Sequence, residues 1–319
     1  MSVRDIEVSS KPRRNHLSLQ IPSTYKNSYQ ECSLIDLDKI FDFQNDCVNM
    51  STLRKSVIHG SLRSSPFRSL IWMILLQVIP ANRISSWKKD LKSKRSLYEK
   101  FLSCKGKVID DYYQEMETII NQDIERTHPK LAFFRDENVQ TTMRNILLAY
   151  SIRQSSGYRQ GMHEILAILI FSFHHHQATH FHALENENVS QELRNVLSLF
   201  HSDKIIESDL YFTFNKIMCI IYDWYIVKEE DQEGVSHQFC PGVRFIEDIY
   251  HNYLPLYSKD LYEHMEKLGI TPITFGLKWT RLFFAQEFPL SDVLYIWDAI
   301  FSATEKDSFP LTFLMPSAF

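Results

Sequence analysis

Glycine is scarce in this chain, with 8 residues among 319, and cysteine is scarcer still, with 5. So few glycines argue against a turn-rich all-β protein, because many tight turns need a residue that tolerates positive φ. The cysteines are odd in number, widely spaced and form no C-x-x-C pair. This usage favours reduced thiols and disfavours a disulfide framework or a dithiol redox motif.

A strong excess of one charge and long apolar runs are also missing. The 35 basic and 39 acidic residues leave a formal net charge of −4, which gives no preference for nucleic acid or for a membrane surface. No apolar stretch is long enough to span a bilayer, and the N-terminus lacks the apolar core of a signal peptide. We therefore expect a cytoplasmic protein without a transmembrane segment.

Apolar residues recur instead at helical spacing through most of the chain, and this pattern predicts an all-α fold. Hydrophobic residues make up 44% of the chain, which is enough for a sizeable core. One helix is predicted to end near His128, because Pro129 disfavours helix in the residue before it. The apolar face of that helix is formed by Met116, Ile119, Ile120 and Ile124.

The patterns divide the chain into three parts. Residues 1–33 are polar, contain Pro12 and Pro22, and are predicted to be a disordered arm. Residues 34–301 carry the helical pattern and are predicted to form one domain, with a charged, solvated loop over residues 228–234. Residues 302–319 are predicted to be a separate tail, because from Ser308 onward they contain two prolines and no charge.

Two short segments stand out by their polar residues. The first, I-N-Q-D-I-E-R-T at residues 120–127, is called here the arginine segment, and the second, Y-R-Q-G-M at residues 158–162, the glutamine segment. Arg126 lies at a predicted helix end. Gln160 follows Gly157, a plausible helix stop, and precedes the next apolar run. A single arginine or glutamine on a polar turn is usually a solvated surface residue. The presence of both segments, the arginine segment before the glutamine segment, favours a functional role for Arg126 and Gln160.

Together the two segments resemble the catalytic fingers of TBC-domain GTPase-activating proteins for Rab GTPases. The resemblance implies that Arg126 and Gln160 are inserted in trans into the nucleotide site of a Rab. A guanidinium there stabilises negative charge on the transferring phosphoryl group, and an amide aligns the attacking water. GTP and magnesium would be carried by the Rab, so the chain itself is expected to need no cofactor and no metal.

The resemblance covers roughly residues 60–301 and implies a TBC fold with two helical halves. H-G-S-L-R-S-S-P-F-R-S-L-I-W at residues 59–72 resembles the opening of the domain, and V-L-Y-I-W-D at residues 293–298 resembles a late motif. F-F-R-D-E-N-V at residues 133–139 and Q-G-M-H-E-I-L at residues 160–166 are most similar to the member-five subgroup. That subgroup implies a late-endosomal Rab and the retromer coat as partners, and a place in vesicle trafficking and autophagy at endosomal membranes.

Four further residues are expected to support the site. Asp123 lies three residues before Arg126 on the same helix face and could hold its guanidinium. The same pair could instead be a plain surface ion pair, which contributes little. Tyr158 and Gly161 are expected to shape the turn of the glutamine segment, and Arg68 is expected to support the site.

The last residues of the chain depart from the family pattern. In the family, further helices follow the I-W-D segment, and S-F-P-L-T-F-L-M-P-S-A-F at residues 308–319 does not resemble them. We therefore expect an incomplete second half, lower stability, and an apolar patch on residues 293–301 unless residues 309–319 fold over it. Two functions stay open on this basis: a Rab GTPase-activating protein, and a non-catalytic adaptor that binds a Rab or the retromer coat.

Spacing disfavours a metal site. His163 and Glu164 resemble the start of a zinc-protease helix, but the position four after His163 is Ala167, so the second ligand is missing. The histidines within residues 174–182 have no cysteine or carboxylate at ligand spacing. A solvated or capping cluster is the better interpretation of those histidines.

Overall fold

The computed structural model describes residues 34–63, 65, 67–104, 111–154, 157–184, 189–200, 203–232 and 235–304. The predicted arm at residues 1–33 and residues 305–319 of the predicted tail lie outside these ranges. Within the ranges helices dominate, and the prediction of an all-α fold is confirmed. None of the helices in this described part is both long enough and apolar enough to cross a bilayer.

The helices fall into two consecutive sets. Up to residue 184 they are α1 (Leu34–Ile40), α2 (Met50–Ile58), α3 (Arg68–Leu75), α4 (Trp87–Cys104), α5 (Asp111–Glu125), α6 (Glu137–Arg153) and α7 (Met162–Leu184). From residue 191 they are α8 (Gln191–Ser198), α9 (Asp203–Ile221), α10 (Pro241–Asp248), α11 (Leu254–Tyr257), α12 (Lys259–Leu268), α13 (Ile273–Leu282) and α14 (Leu290–Ala303). Short 3₁₀ turns lie at Ile84–Ser86, Ala132–Arg135 and Tyr222–Tyr225, and a π-helical turn lies at Ile249–Tyr253.

Helix α7 lies at the centre of the core. Apart from His163 and Glu164, its first part is apolar on all sides, and Met162 and residues 165–170 are fully buried. A helix that is hydrophobic all round must be covered by its neighbours. Helices α3, α6 and α9 contact it most extensively, and α5, α13 and α14 make smaller contacts. The glutamine segment leads directly into α7 and is therefore anchored to the most buried element.

Two antiparallel hairpins interrupt the helices. Strand β1 (Phe41–Asp42) pairs with β2 (Cys47–Val48), and β3 (Lys228–Gln232) pairs with β4 (Val235–Phe239). The predicted solvated loop over residues 228–234 is therefore wrong where β3 lies. The charged sequence K-E-E-D-Q lacks the apolar alternation by which strands are recognised. Pairing with β4 nevertheless satisfies its backbone groups, and this requires no apolar face.

Helix α14 packs against α2, α3 and α7. Trp72 of α3 lies against two of its aromatic rings, with centroid distances of 5.7 Å to Trp297 and 5.2 Å to Phe301. The apolar patch expected on residues 293–301 is not found, because most large apolar side chains of this segment are buried and the other two, Tyr295 and Ile296, are half-buried. The buried ones are Val293, Leu294, Trp297, Ile300 and Phe301.

An internal ion pair ties α14 to α3. Arg68 donates from Nε to Asp298 Oδ1 and from Nη2 to Oδ2, at 3.1 Å in both cases, and Trp72 Nε1 donates to Oδ1 at 2.8 Å. Burial raises the pKa of Asp298 above its ordinary value, against the opposing effect of Arg68 and Trp72. This buried pair joins residues that lie 230 positions apart in the sequence.

We expect Asp298→Asn to lower the free energy of unfolding by about 3 to 5 kcal/mol, because it leaves the Arg68 guanidinium buried without its counter-charge. Urea unfolding of both proteins at neutral pH measures the change. Glu263→Gln is the control, since it breaks the exposed pair between Lys259 and Glu263 and should change stability by less than about 0.5 kcal/mol. Equal stability of Asp298→Asn and the unmodified protein would contradict this prediction.

Candidate functional site

Arg126 is the first residue after α5, as the sequence predicts. The helix stops there because His128 adopts a left-handed φ of +37° and a proline follows it. The buried stripe of α5 is narrower than predicted, since Ile119 is 42% exposed. Its apolar members are Met116, Ile120 and Ile124. The Arg126 side chain is 56% exposed and so lies at the surface of the domain.

The Asp123 carboxylate binds both the arginine segment and the glutamine segment. Its Oδ1 accepts a hydrogen bond from Arg126 Nη2, and its Oδ2 accepts one from the Tyr158 hydroxyl at 2.6 Å. Thr127 fixes the same turn, because its Oγ1 donates to the Asp123 carbonyl at 2.9 Å. The Asp123 side chain is only 4% exposed, so a plain surface ion pair does not describe the contact. One buried carboxylate therefore links the end of α5 to the segment that precedes α7.

The glutamine segment turns the chain into α7 with the help of two glycines. Gly157 has a φ of +64° and Gly161 a φ of +101°, and both values favour glycine. Gly161 is needed for space as well, because a Cβ atom there would lie 2.6 Å from Leu282 Cδ2. Gln160 is exposed, and its side chain makes no hydrogen bond to any residue of the described ranges. Its amide is therefore available to a partner.

A buried polar cluster at the start of α7 is a feature that the sequence did not lead us to expect at the site. His163 is 3% exposed and Glu164 5% exposed. His163 Nδ1 lies 2.7 Å from the Tyr158 oxygen and 3.2 Å from Asp123 Oδ2, while Nε2 lies 3.3 Å from Glu164 Oε1. The sequence signal for this cluster was a pair of polar residues opening an apolar helix, since buried polar groups need partners.

Glu164 connects this cluster to the turn after α13. Its Oε1 accepts a hydrogen bond from Gln286 Nε2 at 2.7 Å. The turn is formed by Phe283 and Phe284, which have left-handed φ values of +50° and +62°. Burial by itself raises the pKa of Glu164, but the contacts with His163 and Gln286 outweigh burial and hold the pKa below its ordinary value. Glu164 is therefore ionised at neutral pH.

His128 lies on the other side of the same carboxylate. Its Nε2 is buried, lies 3.8 Å from Glu164 Oε2, and has no hydrogen-bond partner among the residues that the structure describes. Burial lowers the pKa of His128, and the attraction of Glu164 offsets only part of that effect. The imidazole is therefore neutral at pH 7.

Arg68 does not join the two segments. Its contacts are with Asp298 and with the ring of Tyr295, and none in the described part of the chain reaches Arg126 or Gln160. The expectation that Arg68 supports the site therefore stays a prediction, without a direct contact to either segment behind it. A buried guanidinium needs a carboxylate, and the one that meets this need lies in α14.

A model of the Rab-GTPase-TBC domain family matches residues 65–317 of this chain. The chain belongs to this family. The Rab-GTPase-TBC match includes the arginine and glutamine segments and extends beyond residue 301, into the residues that were predicted to be a separate, divergent tail.

The chain is also similar to individual proteins from several organisms. TBC1 domain family member 5 of Mus musculus is 29% identical over 337 residues, and its Homo sapiens counterpart is 28% identical over 331. These alignments cover 93% and 91% of this chain but only 40% of each relative, so the chain spans well under half of their length. The GTPase-activating protein GYP1 of Saccharomyces cerevisiae is 24% identical over 245 residues, which is 75% of this chain and 36% of that protein.

A solved structure shares the Rab-GTPase-TBC fold. The crystal structure of the Ypt/Rab-GAP domain of Gyp1p superposes with a TM-score of 0.61 and 23% identity, covering 84% of this chain and 80% of that one. At this level of identity the likeness establishes the fold. The predicted TBC architecture is therefore confirmed.

We expect the free energy of unfolding to fall as the pH is lowered below about 6.5, because the unfolded chain then binds a proton that buried His128 resists. His128→Asn removes this group while keeping a residue that tolerates positive φ. Its stability should therefore depend less on pH between about pH 7.5 and 5.5, a range that lies above the titration of Glu164. Urea unfolding of both proteins across the range measures the difference, and parallel pH profiles would contradict the assignment.

Proposed function

We propose that this chain is a GTPase-activating protein that accelerates GTP hydrolysis by a Rab GTPase through Arg126 and Gln160. The observation that carries the proposal is the Asp123 carboxylate, which binds the arginine segment with one oxygen and the glutamine segment with the other. Membership of the Rab-GTPase-TBC domain family supports the same activity. The relative GYP1 is named a GTPase-activating protein, and the related solved domain is a Ypt/Rab-GAP domain.

In the proposed reaction Arg126 enters the nucleotide site of the Rab. Phosphoryl transfer to water passes through a state in which negative charge is spread over the transferring oxygens, and a permanently charged, planar guanidinium stabilises that state. Arg126 suits this role because its side chain is mostly exposed while one Nη remains bound to Asp123. An arginine finger accelerates comparable GTPases by about 10³ to 10⁵.

Gln160 would align the attacking water. An amide can donate and accept a hydrogen bond at once without any change of protonation. Only Gly161 separates Gln160 from the N-terminus of α7, where the helix dipole creates a positive potential that favours a phosphate nearby. Gly161 keeps this turn against Leu282, so the amide is presented from a fixed backbone.

The partner would supply what the chain lacks. In this proposal GTP and magnesium arrive with the Rab, and the chain contributes no cofactor or metal of its own. The likeness to TBC1 domain family member 5 supports the finer proposal that the Rab is late-endosomal and that the retromer coat is a second partner at endosomal membranes. A panel of purified Rabs in the hydrolysis assay, and a binding assay with purified retromer, test these two partners separately.

We expect Arg126→Ala to reduce activation about 10³-fold or more, because the transition-state charge loses its guanidinium. Arg126→Lys should fail as well, since a point charge cannot reproduce the planar fork. Gln160→Ala should remove most of the activation through loss of water alignment. Single-turnover GTP hydrolysis by the Rab panel, with and without each protein, measures these effects.

Two exposed residues of the same types serve as controls for this experiment. Arg83→Ala and Gln191→Ala lie at exposed positions outside the two segments and should leave activation unchanged. Thermal unfolding of every variant establishes that its fold is retained. Nearly normal activation by a folded Arg126→Ala protein removes the arginine-finger assignment.

A Rab whose own switch glutamine is replaced separates the proposed enzyme activator from an adaptor. If Gln160 aligns the water in trans, this Rab should still be activated. A non-catalytic adaptor would bind the Rab without accelerating hydrolysis, which a binding assay run beside the kinetic assay detects. Complete resistance of the altered Rab, with normal activation of the unaltered one, would remove Gln160 from the mechanism and leave the activation itself in place.

A further inference from the structure

His163 lies directly behind the two proposed fingers and has no part in their chemistry. Its imidazole is buried on the first turn of α7. One nitrogen faces the hydroxyl of Tyr158 and the carboxylate of Asp123, and the other faces Glu164. A histidine that only filled space would not need hydrogen-bonding groups on both edges of the ring.

One arrangement of hydrogens makes both short contacts of the Tyr158 hydroxyl into hydrogen bonds. The Tyr158 hydroxyl has a single hydrogen, and Asp123 Oδ2, an acceptor 2.6 Å away, takes it. The Tyr158 oxygen can then accept from a hydrogen on His163 Nδ1, which lies 2.7 Å away. If Nδ1 had no hydrogen, the hydroxyl would be drawn away from Asp123 towards the ring. The histidine thus sets the direction in which Tyr158 donates.

The far side of the His163 ring faces Glu164, which is bound in turn by a residue from the second set of helices. Nε2 faces Glu164 Oε1, which also accepts from Gln286 at 2.7 Å. Gln286 follows a turn whose Phe283 carbonyl accepts a hydrogen bond from Trp297 Nε1 at 2.9 Å. The imidazole therefore lies between Tyr158 on one edge and Glu164 on the other.

We propose that His163 is a positioning residue that fixes the Arg126 finger through Tyr158 and Asp123. Its Nδ1–H turns the Tyr158 hydroxyl to Asp123 Oδ2, which leaves Oδ1 oriented towards the guanidinium. This inference rests on the proposed role of Arg126 as a finger. The contact chain predicts that a change at His163 alters the placement of a side chain that it does not touch.

Two substitutions of His163 separate its two nitrogens. In His163→Asn the amide nitrogen takes the place of Nδ1 and can still donate to Tyr158, whereas in His163→Gln it takes the place of Nε2 and cannot. We expect His163→Gln to lower the maximal rate of Rab GTP hydrolysis about 10- to 100-fold, as misplacement of a catalytic group does. The chain concentration at half-maximal rate should change by less than about twofold, because binding of the Rab is untouched. His163→Asn should keep most of the activation.

A double-mutant cycle tests whether His163 acts through Tyr158. In a Tyr158→Phe background, His163→Gln should cause a much smaller loss than in the unmodified protein, because the hydroxyl is gone and only the 3.2 Å contact of His163 Nδ1 with Asp123 Oδ2 remains. The proposal is overturned if the two substitutions lower the maximal rate independently, so that their fold-losses multiply in the double variant. It is also overturned if His163→Asn and His163→Gln, both folded, lower the maximal rate equally. If His163→Gln does not fold, Tyr158→Phe alone must show the same fall in maximal rate, and an unchanged rate overturns the proposal.

Side-chain NMR of the arginines gives a readout that needs no Rab. A guanidinium bound by a carboxylate gives two separate Nη signals, and a freely rotating guanidinium gives one averaged signal. The signals of Arg126 are identified as those missing from the spectrum of Arg126→Ala. We expect separate Arg126 signals in the unmodified protein and in His163→Asn, and averaged signals in His163→Gln. If the unmodified chain activates no Rab, the proposed function fails, while these spectra still decide the positioning role. Identical Arg126 signals in all three proteins overturn it.

Discussion

The buried carboxylate of Asp123 is the interaction on which the candidate site depends. An ionised group that is 4% exposed must be hydrogen-bonded, and its partners here come from two segments. Arg126 lies at the end of the helix that carries Asp123, and Tyr158 lies 35 residues beyond Asp123 in the chain. Loss of either partner leaves a buried charge incompletely satisfied. Stability of the domain and geometry of the site are therefore served by the same contacts.

Packing around α7 explains why both halves of the domain contribute to this arrangement. The glutamine segment lies against Leu282 through a glycine that has no room for a side chain. Beyond the turn that follows Leu282, Gln286 binds the carboxylate of Glu164. The arginine segment comes from the first set of helices and its support comes partly from the second. The site thus forms only where the two sets meet.

The parts of the site that the sequence predicted are those with local signals. A proline ends α5 just after Arg126, and Gly157 marks the turn before the exposed glutamine. The unpredicted parts depend on partners that are distant in the sequence. Glu164 binds a residue 122 positions away, and Arg68 binds one 230 positions away, so no nearby pattern reports either contact. The packing of Arg68 against α14 could therefore not be predicted from the sequence.

The exposed arginine held by a buried carboxylate has a consequence for recognition. A free arginine side chain has about 2 kcal/mol of rotamer entropy, and a partner that bound it would normally have to overcome that disorder. In this domain the rotamer is already selected when the chain folds. In the proposed function, the surface contact that binds the Rab would therefore place the Arg126 guanidinium at the nucleotide without a further ordering step.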